Sequence, residues 1–199
     1  MEYQDVIIFG RTISIPAYYQ RVESMPGDPE GSVSYMVQSE NALCLVQLYT
    51  ISESESLPRK KETLIAGIRQ YLGDNQGLIK VETAKDYVYS IVKTLKMQGG
   101  VQYILTYQMF YPDFVLNIQA FFEETGITGT RDNAVYQYYR SKGLIGTSED
   151  PIIGWTRDPY DESISKGALM NFSEQEQFDE MFPGFPLSIC RELVRTIKA

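Results

Sequence analysis

The sequence predicts an α+β fold: a mainly antiparallel β-sheet flanked by helices, with a helical C-terminal extension. Three observations carry that prediction. Long apolar segments between Leu78 and Phe122, two of them cleanly alternating, are joined by connections of only three residues, a length that links antiparallel neighbours. At Leu64, Ile65, Ile68, Tyr71 and Leu72 the period changes to that of an amphipathic helix. Cys190, Leu193, Val194 and Ile197 repeat that stripe near the end of the 199-residue chain.

Taken in order, Val6–Phe9 and Thr12–Ile15 are short strands separated by Gly10 and Arg11, and Pro16 ends the second. Met25–Gly31 carries two prolines and two glycines and reads as a loop. Ser32–Val37 and Leu43–Ile51 follow. The latter is apolar at almost every position, which predicts a central strand covered on both faces. A helix is expected over 58–72, with Pro58 in its first turn and Gly73 at its stop.

The meander Leu78–Thr83, Tyr87–Met97, Val101–Phe110 and Phe114–Phe122 comes next. In it Val101, Tyr103, Leu105, Tyr107 and Met109 share one face, and a face of that kind must be covered. A second helix starts at Thr130, an expected N-cap, and closes at Gly143, with Ala134, Val135, Tyr138 and Tyr139 inward. Residues 146–164 are polar and rich in turn residues. Ser173 to Glu176 has the spacing of a capping box, and Pro183 and Pro186 break the short helix it opens. The expected organisation is a core domain over 1–145 and an acidic extension with two short helices over 146–199.

Thr12, Ile13, Ser14, Ile15 and Pro16 form an I-x-I-P strand ahead of the aromatic Tyr18. With the hairpin, helix, long meander and covering helix that follow, this order resembles the Mog1/PsbP-like superfamily over about residues 6–140. The resemblance implies an α/β/α sandwich and a mostly non-enzymatic role. Members of that superfamily bind protein partners: a small GTPase, photosystem subunits or client segments of secretion effectors. No residue motif matches, so the resemblance assigns no binding residue here, and 146–199 lies outside it.

Composition narrows the chemistry. The chain has no histidine, the commonest general base and metal ligand, and only two cysteines, Cys44 and Cys190, without metal or redox spacing. No cofactor and no metal is expected. Net charge is −8, with 16 acids against 13 bases in residues 1–145 and 9 against 2 in residues 146–185. No basic patch suits nucleic acid, and no apolar run suits a membrane span or a signal peptide. Two distant cysteines fit a reducing, cytoplasmic setting.

The candidate sites follow from charge and aromatics. Fifteen tyrosines are unusual, and Tyr suits interfaces because its ring packs while its tip stays polar. Tyr103 and Tyr107 on the meander, with Trp155, Asp158, Tyr160, Asp161 and Glu162 in the acidic stretch, are therefore the expected partner-binding residues. Asp158 to Glu162 lacks the ligand alternation and glycine of a calcium loop, so an acidic surface loop is the plainer reading.

Gly126, Gly129, Thr130 and Arg131 lie between a strand and a helix and could receive an anion at the helix N-terminus. A glycine-bearing turn and cap is the plainer reading, because Glu123 and Glu124 beside them oppose phosphate. The resulting expectation is a non-catalytic cytoplasmic protein-interaction module with a protein partner. The alternatives are a small-molecule-binding domain or an enzyme built on carboxylates and tyrosine. A deep pocket with converging polar groups would favour the alternatives. An exposed aromatic or apolar patch would favour the module.

Overall fold

A computed structural model describes residues 2–198. Strands β1 (Tyr3–Ile8) and β2 (Arg11–Pro16) form a hairpin of their own. Phe9 and Gly10 both take positive φ, 48° and 73°, the pairing that lets a two-residue turn follow the strands' twist. The main sheet comprises β3 (Gln20–Val22), β4 (Val33–Gln38), β5 (Ala42–Ile51), β6 (Gln76–Thr83), β7 (Tyr87–Leu95), β8 (Val101–Phe110) and β9 (Val115–Glu124). Its order is β3-β4-β5-β9-β8-β7-β6, and all neighbours are antiparallel. The expected meander is thus present, and β5 closes onto β9 with Ala42 opposite Glu124. The fold class is α+β.

Helices α1 (Lys61–Tyr71), α2 (Thr130–Ser141) and α3 (Pro186–Lys198) complete the layers. Helix α1 starts later than its sequence pattern predicts, so Pro58 precedes it. Gly129, at φ 73°, caps α2 in place of Thr130, whose hydroxyl donates to the Ile127 carbonyl at 2.8 Å. Pro186 opens α3, where a missing N–H costs nothing.

One face of the sheet is fully covered. Val6, Ile8, Ile13 and Ile15 from the hairpin and Leu187, Ile189, Cys190, Leu193 and Val194 from α3 pack on Cys44, Val46, Leu48, Leu105, Ile118 and Phe122. Helix α3 therefore packs in the same core as the sheet. Burial raises both thiols, Cys44 to about 12 and Cys190 further.

The other face is covered only in part. Leu64 of α1 packs on Leu78, Val81 and Val88 of β6 and β7. Beyond them the face opens, and Leu43 and Leu45 are 39% and 43% exposed. The expectation that β5 is buried on both faces is thereby corrected. Its apolar run reflects a covered face and an exposed apolar one.

The short strands β10 (Thr156–Arg157) and β11 (Met170–Asn171) pair with each other. The segment between them runs along the outer edge of β6. The Ala168 amide donates to the Gln76 carbonyl at 3.1 Å, and the Tyr160 hydroxyl bonds both the amide and the carbonyl of Val81. Gly77 permits this approach, since a Cβ there would lie 2.0 Å from the Ala168 carbonyl oxygen. The edge strand is thus closed to other chains.

Leu193 is fully buried. Leu193→Ala should cost about 2–5 kcal/mol in urea unfolding, the range for truncating a buried leucine. Unchanged stability would show that α3 does not hold the sheet.

Candidate functional site

Two polar assemblies lie under the helices. In the first, the Glu174 side chain is 1% exposed and meets the Lys93 ammonium at 2.9 Å. It also accepts from the Tyr103 hydroxyl and from the Asn171 amide. The Asn171 side chain accepts from the Glu174 amide, so a capping box spans 171–174. It lies two residues ahead of the box expected at Ser173, because the Ser173 hydroxyl is taken by Asp132 and Asn171.

Asp179 anchors the neighbouring cluster. Arg131 and Arg191 reach its Oδ1 at 3.4 and 3.0 Å, and Arg195 reaches Oδ2 at 3.3 Å. Arg131 also donates to the Ser173 carbonyl and Ser188, and Arg191 to the Glu174 carbonyl. Apart from the Arg191 Nε, which has no hydrogen-bond partner among the described residues, these groups are engaged with one another and with backbone carbonyls, and they tie α2, α3 and the 171–179 turns to β7 and β8.

In the second assembly, Tyr87 and Tyr89 donate to Glu82 at 2.6 and 3.0 Å, and Lys198 of α3 pairs with the same carboxylate. Tyr107 stacks between the two rings, with centroids 5.4 and 5.6 Å away. Burial pushes the Glu82 carboxyl up, but the hydrogen bonds from Lys198, Tyr87 and Tyr89 outweigh it and hold the group at about 2.

The residues expected to bind a partner do not form one surface. Tyr103 and Tyr107 are 5% and 0% exposed and lie on the face under α3, so their role as surface aromatics is corrected. Asp158 is buried, pairs with Arg69 of α1 at 2.6 Å, and accepts from the amides of Tyr160 and Asp161. Asp161 lies 3.7 Å from Arg69, and Tyr160 seals the edge of β6. Trp155 packs edge-on against Tyr136 at 5.2 Å. Of this set only Glu162 is exposed. The acidic loop is held to α1 and β6 through Asp158 and Tyr160, while Glu162 and part of the Asp161 side chain remain open to solvent.

The candidate anion site is likewise corrected. The Gly129 amide donates to the Glu124 carboxylate at 2.8 Å, and Arg131 turns inward, 5% exposed. Gly126 packs against the Glu40 carbonyl, and Thr130 bonds Ile127. The helix N-terminus receives the chain's own carboxylate.

The surface that sequence reasoning missed is the open half of the sheet. Register places Met36 opposite Leu45, Leu45 opposite Phe121, Phe121 opposite Ile104, Ile104 opposite Val92 and Val92 opposite Leu78. This apolar row crosses six strands. Helix α1 covers its β6–β7 end, while Leu45 and Phe121 stand 43% and 36% exposed. Beside it runs a neutral polar row, in which Gln47 donates to Ser34 and Thr106 to Gln119. A groove of about 530 Å³ lies between α1 and this face, lined by Leu57, Gly67, Tyr71, Ile104 and Thr106 among others.

Two outcomes test the assemblies. Lys93→Met should cost about 3–5 kcal/mol, because it leaves a buried carboxylate unpaired, and adding Glu174→Gln should recover most of the loss. No loss in Lys93→Met would show that the pair carries no stability. Glu82, held below its unfolded value of about 4.3, stabilises the fold above that pH, and the contribution is lost as pH falls toward 2. The melting temperatures of the parent and of Glu82→Gln should therefore differ at neutral pH and converge over that window. A constant gap would refute the assignment.

No model of a known protein family matches the chain, and no curated protein is significantly similar to it. Among solved structures, the Saccharomyces cerevisiae Ran-binding protein Mog1p is similar, with a TM-score of 0.45 and 10% identity over 98% of this chain and 94% of that one. The α+β class itself rests on the sheet and helices described above.

Proposed function

We propose that this chain is a non-catalytic protein-interaction module of the cytoplasm, and that its binding surface is the open half of the main sheet. One observation carries the reading. An apolar row that is core beneath α1 continues into solvent through Ile104, Phe121 and Leu45, and an exposed apolar surface of this kind marks an interaction site. The buried polar groups support a non-catalytic role, because Glu174, Asp179, Lys93 and Arg131 are engaged with one another. Among the described residues no helix is long and apolar enough to cross a membrane. The two buried free thiols suit a reducing compartment.

Site-specific photo-cross-linking tests this. A benzophenone side chain at position 121 or 45 should capture a protein in the native cytoplasm, while one at exposed Met181, outside the open face, should not. Leu45→Glu should abolish the adduct at 121 and change stability by only about 0.5 kcal/mol or less, as a surface substitution does. Absence of adducts at 45 and 121, together with stabilisation by a metabolite filling the groove, would replace this reading with a small-molecule-binding domain.

A further inference from the structure

The character of the open face says what kind of partner segment fits it. The positions of β4, β5, β8 and β9 that point to this face carry one charged residue, Glu123, which Lys96 neutralises. The others are apolar side chains, glutamines, one asparagine, one serine and one threonine. Solvated sheet faces usually carry charges, whereas charge is depleted from the core of an interface.

The surrounding loops are acidic. Glu23, Asp28 and Glu30 precede β4, Glu40 joins β4 to β5, and Glu53 and Glu55 follow β5. Arg59 and Lys60 are the only basic residues in these three loops, and Arg59 is held by Glu53 and the Phe110 ring. This charge opposes a second copy of the chain and favours a basic partner.

The wall of the groove adds a second, independent observation. Gly67 lies inside α1, where glycine is among the poorest helix formers. A Cβ there would meet nothing within 4 Å, so no contact inside the molecule requires glycine. A bare backbone at that point lets another chain approach α1 closely.

Dimensions select one helix. The interval from β8 to β4 is roughly 14 Å at the spacing of paired strands. A helix with its side chains is about 10–12 Å wide, and neighbouring helices pack about 8–10 Å apart.

Resting on the interaction-module reading, we infer that this face receives an amphipathic α-helix of a partner protein. The helix seats beside α1 and over Ile104, Phe121 and Leu45. Its lysines or arginines meet the acidic loops at the ends of β4 and β5. The groove at Gly67 admits one of its apolar side chains.

The test titrates the isotope-labelled full chain with a synthetic leucine–alanine–lysine helix of about 18 residues, roughly 27 Å long. An otherwise identical peptide with glutamate for lysine serves as the comparison. The lysine peptide should shift the amides of Gly67, Ile104, Phe121 and Leu45, and the glutamate peptide should bind at least about tenfold more weakly, with the gap narrowing as salt is added. Gly67→Leu should raise the melting temperature, because leucine favours the helix, and weaken the lysine peptide by about tenfold or more.

Shifts confined to other surfaces, equal binding of the two peptides, or undiminished binding to Gly67→Leu would overturn the inference. So would a concentration-dependent dimer lost in Leu45→Glu, which would name a second copy as the occupant. Adducts at 45 and 121 whose captured segment is extended or acidic would refute the basic helix and leave the interaction module standing. Absence of those adducts would remove both.

Discussion

The fold depends on the carboxylate of Glu174. Burying a charge costs several kcal/mol unless it is paired and its lone pairs are filled. Here Lys93 from β7, Tyr103 from β8 and the Asn171 amide all converge on it. The group is satisfied only when the 171–174 turn lies over those strands. Asp179 extends the same logic, drawing Arg131 of α2 and Arg191 and Arg195 of α3 to one side chain. Hydrophobic burial brings α3 to the sheet, but apolar contact is non-directional. The charged network specifies where the helices and turns must stop, because any shift strands a buried ion.

This clamp engages the buried groups that could have done chemistry on the covered side of the sheet. Tyrosines, lysines and carboxylates cluster densely, yet they serve as struts. Tyr103 reaches Glu174, while Tyr87 and Tyr89 reach Glu82, and Lys198 fastens the end of α3 to the same carboxylate. Part of the acidic stretch has the same fate. Asp158 caps its own loop and pairs with Arg69, and Tyr160 closes the edge of β6. With the β6 edge and the α3 face both covered, the proposed recognition surface is the open half of the other face. Its strands are rigid, since they are paired on both sides within the sheet, so it can present an apolar row without collapsing onto it.

Much of this was legible in local patterns. The meander appeared in the alternation at Val101–Met109 and in the short connections. The inner stripe of α3 appeared at Cys190, Leu193, Val194 and Ile197, all now in the core. Glu123 and Glu124, adjacent on a strand, part to opposite faces as their spacing requires, one to Lys96 and one to Gly129. The site was less legible. Tyr103 and Tyr107 carry the right periodicity for a covered face and the right chemistry for an interface, and composition cannot separate the two. The run Leu43–Ile51 has the pattern of double burial, although one of its faces is open. Gly67 gave no signal at all, because a helical glycine stands out only when the space around it is known.

The sequence by itself determined the elements and much of their inward patterning, because the periods of helix and strand act between near neighbours; Tyr71 and Tyr138, expected inward, nonetheless stand 86% and 58% exposed, since the elements that would cover them lie elsewhere. It determined the antiparallel meander for the same reason: short connections leave few geometries. Only the tertiary structure decided which sheet faces are covered, since that depends on where the hairpin, α1 and α3 land after the chain has crossed itself. It also decided the meaning of the charges. Asp158, Arg131 and Glu174 read as surface groups until partners distant in sequence surround them, and an ion's role follows from its neighbours in space.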